Sequence, residues 1–248
     1  MSKKQPENID STLNPEFDDI NNTDQETSLP DEGAGLFQKK ITENLEGAFD
    51  YIIESRKEYF DKNPDKVPQL DNISRIISSC TRNNAAISGG ASLVPGPWGM
   101  AVIVPELTVV LRNQIRMIYD IGVAHGKKEQ ITKELLMGIF ITALGSSAGS
   151  LLVIQGQKIL VRRASLRVIQ KIIAMLGGRI TQQALKSAVS KWVPLGGAAA
   201  MAIWTGYMTK KIGEQADRLF RLEIEDDPNT IDIELAANTD KQKDDRTA

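Results

Sequence analysis

A run of 20 residues without a single charge, from Leu135 to Ile154, constrains the fold most, because so many consecutive uncharged residues need a protein core or lipid around them. A second uncharged run of 18 residues extends from Trp192 to Thr209. Both have the length of a membrane span, whereas the seven Gly, Ser and Thr residues of the first run favour a buried helix. We therefore expect an all-α helical bundle whose glycine-rich apolar helices either span a membrane or pack densely in a peripheral bundle.

Small residues within these runs predict close contact between helices. Gly145 and Gly149 are four positions apart in the first run, and Gly196 and Gly197 lie in the second. This spacing places small residues on one helix face, where a neighbouring backbone can approach closely. We predict a helix seam at these four glycines.

Charge is divided unevenly along the chain. Residues 1–35 carry nine acidic residues against two lysines, and residues 223–248 carry nine against three basic residues. Residues 36–222 therefore hold a net charge of +11, although the whole chain has −2. Polar, highly charged segments bury too little apolar surface to offset their ordering entropy. We predict disordered acidic tails at 1–34 and 223–248, flanking one helical domain at 35–222.

The most basic region contains no acidic residue at all over 79 positions, from Leu135 to Gly213, but ten basic ones. Within it, residues 157–176 have the spacing of an amphipathic helix ended by Gly177–Gly178. This helix would present a row of cations to an anionic membrane surface or to a membrane protein. The candidate binding residues are Arg162, Arg163, Arg167 and Lys171. The alternative is that acids of residues 36–61 pack across from these bases. The acidic tails could also compete for the same cations.

Residues 84–126 hold the remaining unusual chemistry, with Pro95, Gly96, Pro97 and Pro105 ahead of a long helical pattern. Pro105 suits the first position of a helix, and the following acid would then meet the positive end of the helix dipole. An apolar face follows at spacings of three and four. Its members are Leu107, Leu111, Gln114, Ile118 and Ile121. Arg112, Arg116 and Tyr119 share another face, Arg116 can pair with Asp120, and Gly126 ends the helix.

This segment resembles the EcsC family of bacterial proteins, over about residues 70–220. The resemblance rests on Val94-Pro95-Gly96-Pro97, Glu106, Leu111, Ile115, Ile118-Tyr119 and Gly126. Glu106 stands where the family pattern has an aspartate. The resemblance implies a helical, membrane-associated protein without a known catalytic residue. An oligomer is compatible with this expectation.

Motifs for catalysis and cofactors do not stand out. The chain lacks the P-loop pattern, a dinucleotide-binding glycine motif, an HExxH pair and paired cysteines. Any catalytic triad would depend on His125, the only histidine, and Cys80 follows isoleucines at helical spacing as a buried residue would. With 5% aromatic residues, nucleic-acid binding is disfavoured. We expect no enzymatic activity and no cofactor, and a location on the cytoplasmic side of a membrane, or else a cytoplasmic helical adaptor.

Overall fold

The computed structural model describes residues 31–91, 97–145, 151–189 and 196–231. In these ranges the chain is mostly helical, as expected, but six helices are joined by a small three-stranded sheet that the all-α prediction misses. The helices are α1 (Asp31–Lys62), α2 (Ile73–Ala91), α3 (Pro97–Ala124), α4 (Lys133–Ala143), α5 (Leu166–Val189) and α6 (Gly196–Phe220). The strands are β1 (Leu152–Gln155), β2 (Lys158–Ala164) and β3 (Glu223–Ile231).

Helix α3 lies at the centre of the bundle and packs against α1, α2, α4 and α6. The apolar face predicted from its spacing is confirmed, since all five of its members are buried. Arg112 and Arg116 are exposed, but Tyr119, expected beside them, is only 1% exposed. Helix α3 is therefore covered on more sides than a surface helix would be.

The start of α3 differs from the prediction. The helix begins at Pro97, so Pro97 rather than Pro105 occupies the first helical position. Pro105 lies inside the helix, where its missing N–H removes one backbone hydrogen bond. Glu106 consequently lies well beyond the first turn and is 5% exposed, so helix-start electrostatics do not account for it. Pro95 and Gly96 lie outside the described residues.

The end of α3 follows the prediction. Gly126 has φ +72°, the left-handed conformation that glycine adopts at a helix C-terminus. Its amide donates to the carbonyl of Val123 at 2.9 Å, and the amide of Lys127 donates to that of Gly122 at 3.0 Å. These bonds satisfy carbonyls that the end of the helix leaves open.

The uncharged run 135–154 does not form one helix. Helix α4 ends at Ala143, Gly145 turns the chain with φ +73°, and β1 begins at Leu152. The second run contributes residues 196–209 to α6, which continues into a charged C-terminal half. None of the helices in the described ranges combines the length and mean hydropathy that crossing a membrane requires.

The amphipathic helix predicted for residues 157–176 is wrong over its first half. Residues 158–164 form β2, which pairs antiparallel with β1 across a turn at Gly156 (φ +60°). Ile159 and Val161 alternate inward and are buried, as a strand with one covered face requires. Residues 158–164 therefore follow the two-residue alternation of a strand and not the three- and four-residue spacing of a helix.

Helix α5 begins at Leu166 and continues through the Gly177–Gly178 pair, which was expected to end it. A β-carbon at Gly177 would lie 2.4 Å from Oγ1 of Thr42 on α1. The glycine is therefore needed for the close approach of two helices, because no larger side chain fits there without displacement.

The acidic segment predicted to be disordered at 223–248 is ordered over its first nine residues, which form β3. Strand β3 pairs in parallel with β2, giving the sheet order β1-β2-β3, and Ile224 stands opposite Ile159. Ile224 is 7% exposed and belongs to the core, so the domain extends past residue 222. At the other end, residues 31–34 belong to α1, and residues 1–30 and 232–248 lie outside the described part of the chain.

The helix seam predicted at Gly145 is not observed. Gly145 follows α4 in a turn, and a β-carbon added there would meet nothing within 4 Å. Gly149 lies outside the described residues. Gly196 and Gly197 are the first two residues of α6, and what they pack against lies outside the described side chains.

Close packing of small residues does occur, between α2 and α6. A β-carbon at Gly213 would lie 2.8 Å from Cγ1 of Ile77, and one at Gly206 would lie 3.5 Å from Cβ of Ala85. Small residues thus bring the backbones of α2 and α6 together, but at glycines other than the four predicted ones.

Candidate functional site

The surface where β2 meets the start of α5 carries the candidate binding residues. Arg163, near the end of β2, and Arg167 and Lys171, one turn apart on α5, are all exposed. Among the residues that the structure describes, no carboxylate lies within ion-pair distance of these three. We call this trio the open basic face.

Apolar side chains flank the open basic face. Leu166 is 66% exposed and Met175 is 41% exposed, and by helical spacing they lie on either side of the stripe of α5 that carries Arg167 and Lys171. The opposite side of α5 is buried against the bundle through Ile173 and its neighbours. The helix therefore has one face fixed in the core and another that offers both cations and aliphatic side chains to solvent.

Arg162, the fourth candidate, has a different environment. Its Nε donates to Oδ2 of Asp227 on β3 at 3.1 Å, and the side chain of Asp227 is only 10% exposed. On the same strand, Lys158 Nζ lies 3.6 Å from Oε2 of Glu223 and also donates to Glu225. Arg162 is therefore already paired, unlike the other three candidates. We call Lys158 and Arg162, with their partners on β3, the paired basic strand.

The register of the parallel strands explains this pairing. Lys158 stands opposite Glu223 and Arg162 stands opposite Asp227, so that each of these bases on β2 has an acid of β3 beside it. The hydrogen bond to Glu225 and the charge of Glu223 raise the pKa of Lys158 above its ordinary value. Part of the acidic segment thus neutralises bases of β2, whereas the acids of α1 pair elsewhere. Asp50 pairs with Lys133 at 2.5 Å, and Asp61 pairs with Lys128.

His125 takes part in a hydrogen bond just after the end of α3. Its Nε2 lies 2.8 Å from Oδ1 of Asp217, and its ring stacks on Phe220 with centroids 6.3 Å apart. Burial opposes ionisation of Asp217, but hydrogen bonds from Arg221 and His125 outweigh it and hold the pKa of that carboxyl below its ordinary value. In the described part of the chain, no group of three His, Cys, Asp or Glu side chains could hold a metal ion.

An ion pair links α1 to α3. Arg56 donates to both carboxylate oxygens of Asp120, at 2.8 and 3.0 Å, and its guanidinium lies over the rings of Tyr59 and Phe60. Arg116 lies 3.8 Å from the same carboxylate, as its spacing predicted. Both charged groups of the main pair are largely buried, and their complete pairing is typical of a structural bridge.

Cys80 is partly buried, as expected, and contacts the core cluster. Burial raises the pKa of the Cys80 thiol to about 12, with a smaller contribution from the charge of Asp120. The thiol is therefore protonated at neutral pH, which makes it a poor nucleophile.

A buried network of polar side chains lies between α2, α3 and α6, and it was not predicted from the sequence. Asn84 Nδ2 donates to Oγ1 of Thr209 at 3.2 Å, and Gln114 Nε2 donates to the same hydroxyl at 3.0 Å. Thr205 donates to Ser88 at 2.9 Å. The only signal was the four-residue spacing of Asn84 and Ser88 on α2 and of the two threonines on α6. Such a satisfied network fixes the register of the helices.

Residues 145–149 read Gly-Ser-Ser-Ala-Gly and match the letters of the Gly-x-Ser-x-Gly elbow of serine hydrolases. That elbow needs a strand before the serine and a helix after it. Here the helix α4 precedes the pentad and the strand β1 follows it, which is the opposite order. The serines themselves lie outside the described residues.

Comparison with protein-family models, with curated proteins and with solved structures finds no match to this chain. The function is therefore argued from the surfaces and charges of the fold itself.

Proposed function

We propose that the protein is a non-enzymatic, membrane-associated helical accessory protein that adsorbs to anionic membrane surfaces through its open basic face. The observation that carries this proposal is the combination of three exposed cations, Arg163 near the end of β2 and Arg167 and Lys171 on α5, with the 66% exposed Leu166 at the start of α5. The EcsC-like character and a location on the cytoplasmic side of a membrane belong to the same proposal.

The energetics support adsorption of moderate strength. Each Lys or Arg near an anionic surface contributes about 1 kcal/mol, so that the three residues of the open basic face contribute about 3 kcal/mol. Leu166 and Met175 add burial of apolar surface if they enter the headgroup region, as on amphipathic interfacial helices. The electrostatic part is screened by salt within about 10 Å at 0.1 M, so binding should weaken as salt rises.

The test is sedimentation with vesicles of phosphatidylglycerol and phosphatidylcholine, using the full chain and the variant Arg163→Glu/Arg167→Glu/Lys171→Glu. We expect the reversal to weaken binding by more than about 100-fold, because about 3 kcal/mol is removed and repulsion is added. A matched control, Arg75→Glu/Arg82→Glu/Arg112→Glu, reverses three exposed arginines of α2 and α3 and gives the same net charge. It should bind nearly as well as the unaltered chain.

Two outcomes contradict the proposal. Equal binding to vesicles of phosphatidylcholine alone would show that anionic lipid is not what the face recognises. No binding to either vesicle would favour the alternative function, a helical adaptor whose basic face docks on an acidic protein.

A further inference from the structure

A pocket of about 470 Å³ lies between α3, α4, α5 and α6, and its lining residues do not include those of the open basic face. This volume falls within the roughly 300–1,000 Å³ of ordinary small-molecule sites. Its walls are mainly aliphatic and aromatic. They include Leu111, Phe140, Ile180, Met208 and Ile212.

The pocket changes in character from its inner end to its mouth. Leu111, Phe140 and Ile212 are 5%, 1% and 1% exposed, so the inner wall is buried and mainly apolar. The buried polar side chains of Gln114 and Thr205 also line it. Lys211 and Gln182 are exposed and mark the opening. Lys211 is the only charged residue among the described residues that line the pocket.

Two consecutive lysines on α6 have different surroundings. Lys210 lies 3.7 Å from Glu214 and borders a separate depression that also contains Asp71 and Asp217. Lys211 borders the apolar pocket, and no described carboxylate lies within ion-pair distance of it. The pocket therefore presents a positive charge at its mouth and apolar surface behind it, which is complementary to an amphiphile with a negative head.

We propose that this pocket binds a single-chain anionic amphiphile, with the alkyl chain against the buried walls and the head group beside Lys211. A free fatty acid and an anionic lysophospholipid share this chemistry. The site differs from the proposed adsorption surface, since Lys211 lies on α6 and the alkyl chain enters the protein rather than a bilayer, although Ile180 and Gln182 of α5 also line the pocket. The protein would then hold a lipid monomer as well as contact a lipid surface.

Isothermal titration calorimetry of the full chain with dodecanoate, below its critical micelle concentration, tests this. We expect one site per chain, and an affinity that rises about fourfold for each methylene added between decanoate and dodecanoate. Lys211→Glu should weaken dodecanoate binding at least tenfold, whereas Lys210→Glu, the matched control, should leave it within about twofold. Dodecyltrimethylammonium, with the same chain and the opposite charge, should bind at least tenfold more weakly. Lysophosphatidate of equal chain length is titrated in parallel. Tighter binding than dodecanoate would identify a lysophospholipid as the preferred ligand, and weaker binding would identify a fatty acid.

Several results would overturn the inference. They are the absence of saturable binding, equal affinity for the anionic and the cationic amphiphile, and equal effects of the two lysine substitutions. Because both lysines are on the surface, loss of folding is not expected, and circular dichroism of each variant checks that both remain folded.

Discussion

The paired basic strand and the open basic face are adjacent in the chain and differ in what surrounds their charges. Lys158 and Arg162 have the carboxylates of β3 beside them, whereas Arg163, Arg167 and Lys171 face solvent. Both sets come from the same stretch without acidic residues. The comparison shows that a basic composition alone does not make a binding surface, because a distant segment can neutralise one part of it and leave the next part open.

Removing β3 should have the largest effect on the paired basic strand. A chain ended at Leu222 loses the buried Ile224, the parallel ladder on β2 and the ion pairs of Lys158 and Arg162. Loss of a buried isoleucine alone costs about 2–5 kcal/mol, so we expect the free energy of unfolding to fall by at least that amount. Urea unfolding followed by circular dichroism measures it, with a chain ended at Ile231 as the control. Equal midpoints for the two chains would show that β3 contributes nothing.

The position of the open basic face depends on the packing of α5 against α1. Gly177→Ala places a β-carbon 2.4 Å from Oγ1 of Thr42, and should destabilise the protein by about 1–3 kcal/mol through overpacking. Gly178→Ala is the control, because its nearest neighbour is the mobile amide end of Gln38 at 3.2 Å. Thermal unfolding compares the two. If both variants melt alike, the contact at Gly177 is not what holds the two helices together.

A single substitution should release a cation of the paired basic strand for binding. Asp227→Asn removes the charge that pairs with Arg162, and we expect it to lower stability by about 1 kcal/mol. It should also strengthen binding to anionic vesicles by about fivefold, since one further cation becomes available. Asp226→Asn, at an exposed neighbouring position, has the same charge change and serves as the control. Identical vesicle binding by both variants would contradict neutralisation by β3.

The smallest expected effect concerns pH. Because the folded-state pKa of Lys158 is raised, its contribution to stability is complete below the ordinary lysine pKa of about 10.4 and is lost as pH rises through the raised value. The difference in melting temperature between the unaltered chain and Lys158→Met should therefore shrink as the pH rises from about 10 upwards. A difference that stays constant over this range would mean that packing of the side chain, not its charge, is responsible.

The sequence indicated the helical bundle because the three- and four-residue spacing of α3 and the terminal Gly126 are local signals. It did not indicate the sheet. Residues 158–164 are compatible with both periods, and the strand is decided by pairing with β1 and β3, of which β3 lies about 60 residues downstream. Arg163, Arg167 and Lys171 could be chosen as exposed cations, but the pairing of Arg162 depended on a partner that composition assigned to a disordered tail. Glu106 and Tyr119 were misplaced because burial of α3 from several sides is a tertiary property.

Because β2 and β3 are far apart in the chain, the basic residues of β2 are synthesised well before the acidic residues that pair with them. Arg162 and Asp227 are 65 positions apart, so at about 5–20 residues per second a ribosome makes β2 roughly 3–13 seconds before β3 is complete. During that interval one edge of β2 has no strand beside it, and Lys158 and Arg162 are not neutralised. On the proposed mode of adsorption, the nascent chain therefore offers five cations to an anionic surface. The arrival of β3 withdraws two of them, so that the proposed adsorption would be strongest during synthesis and would weaken as β3 pairs with β2.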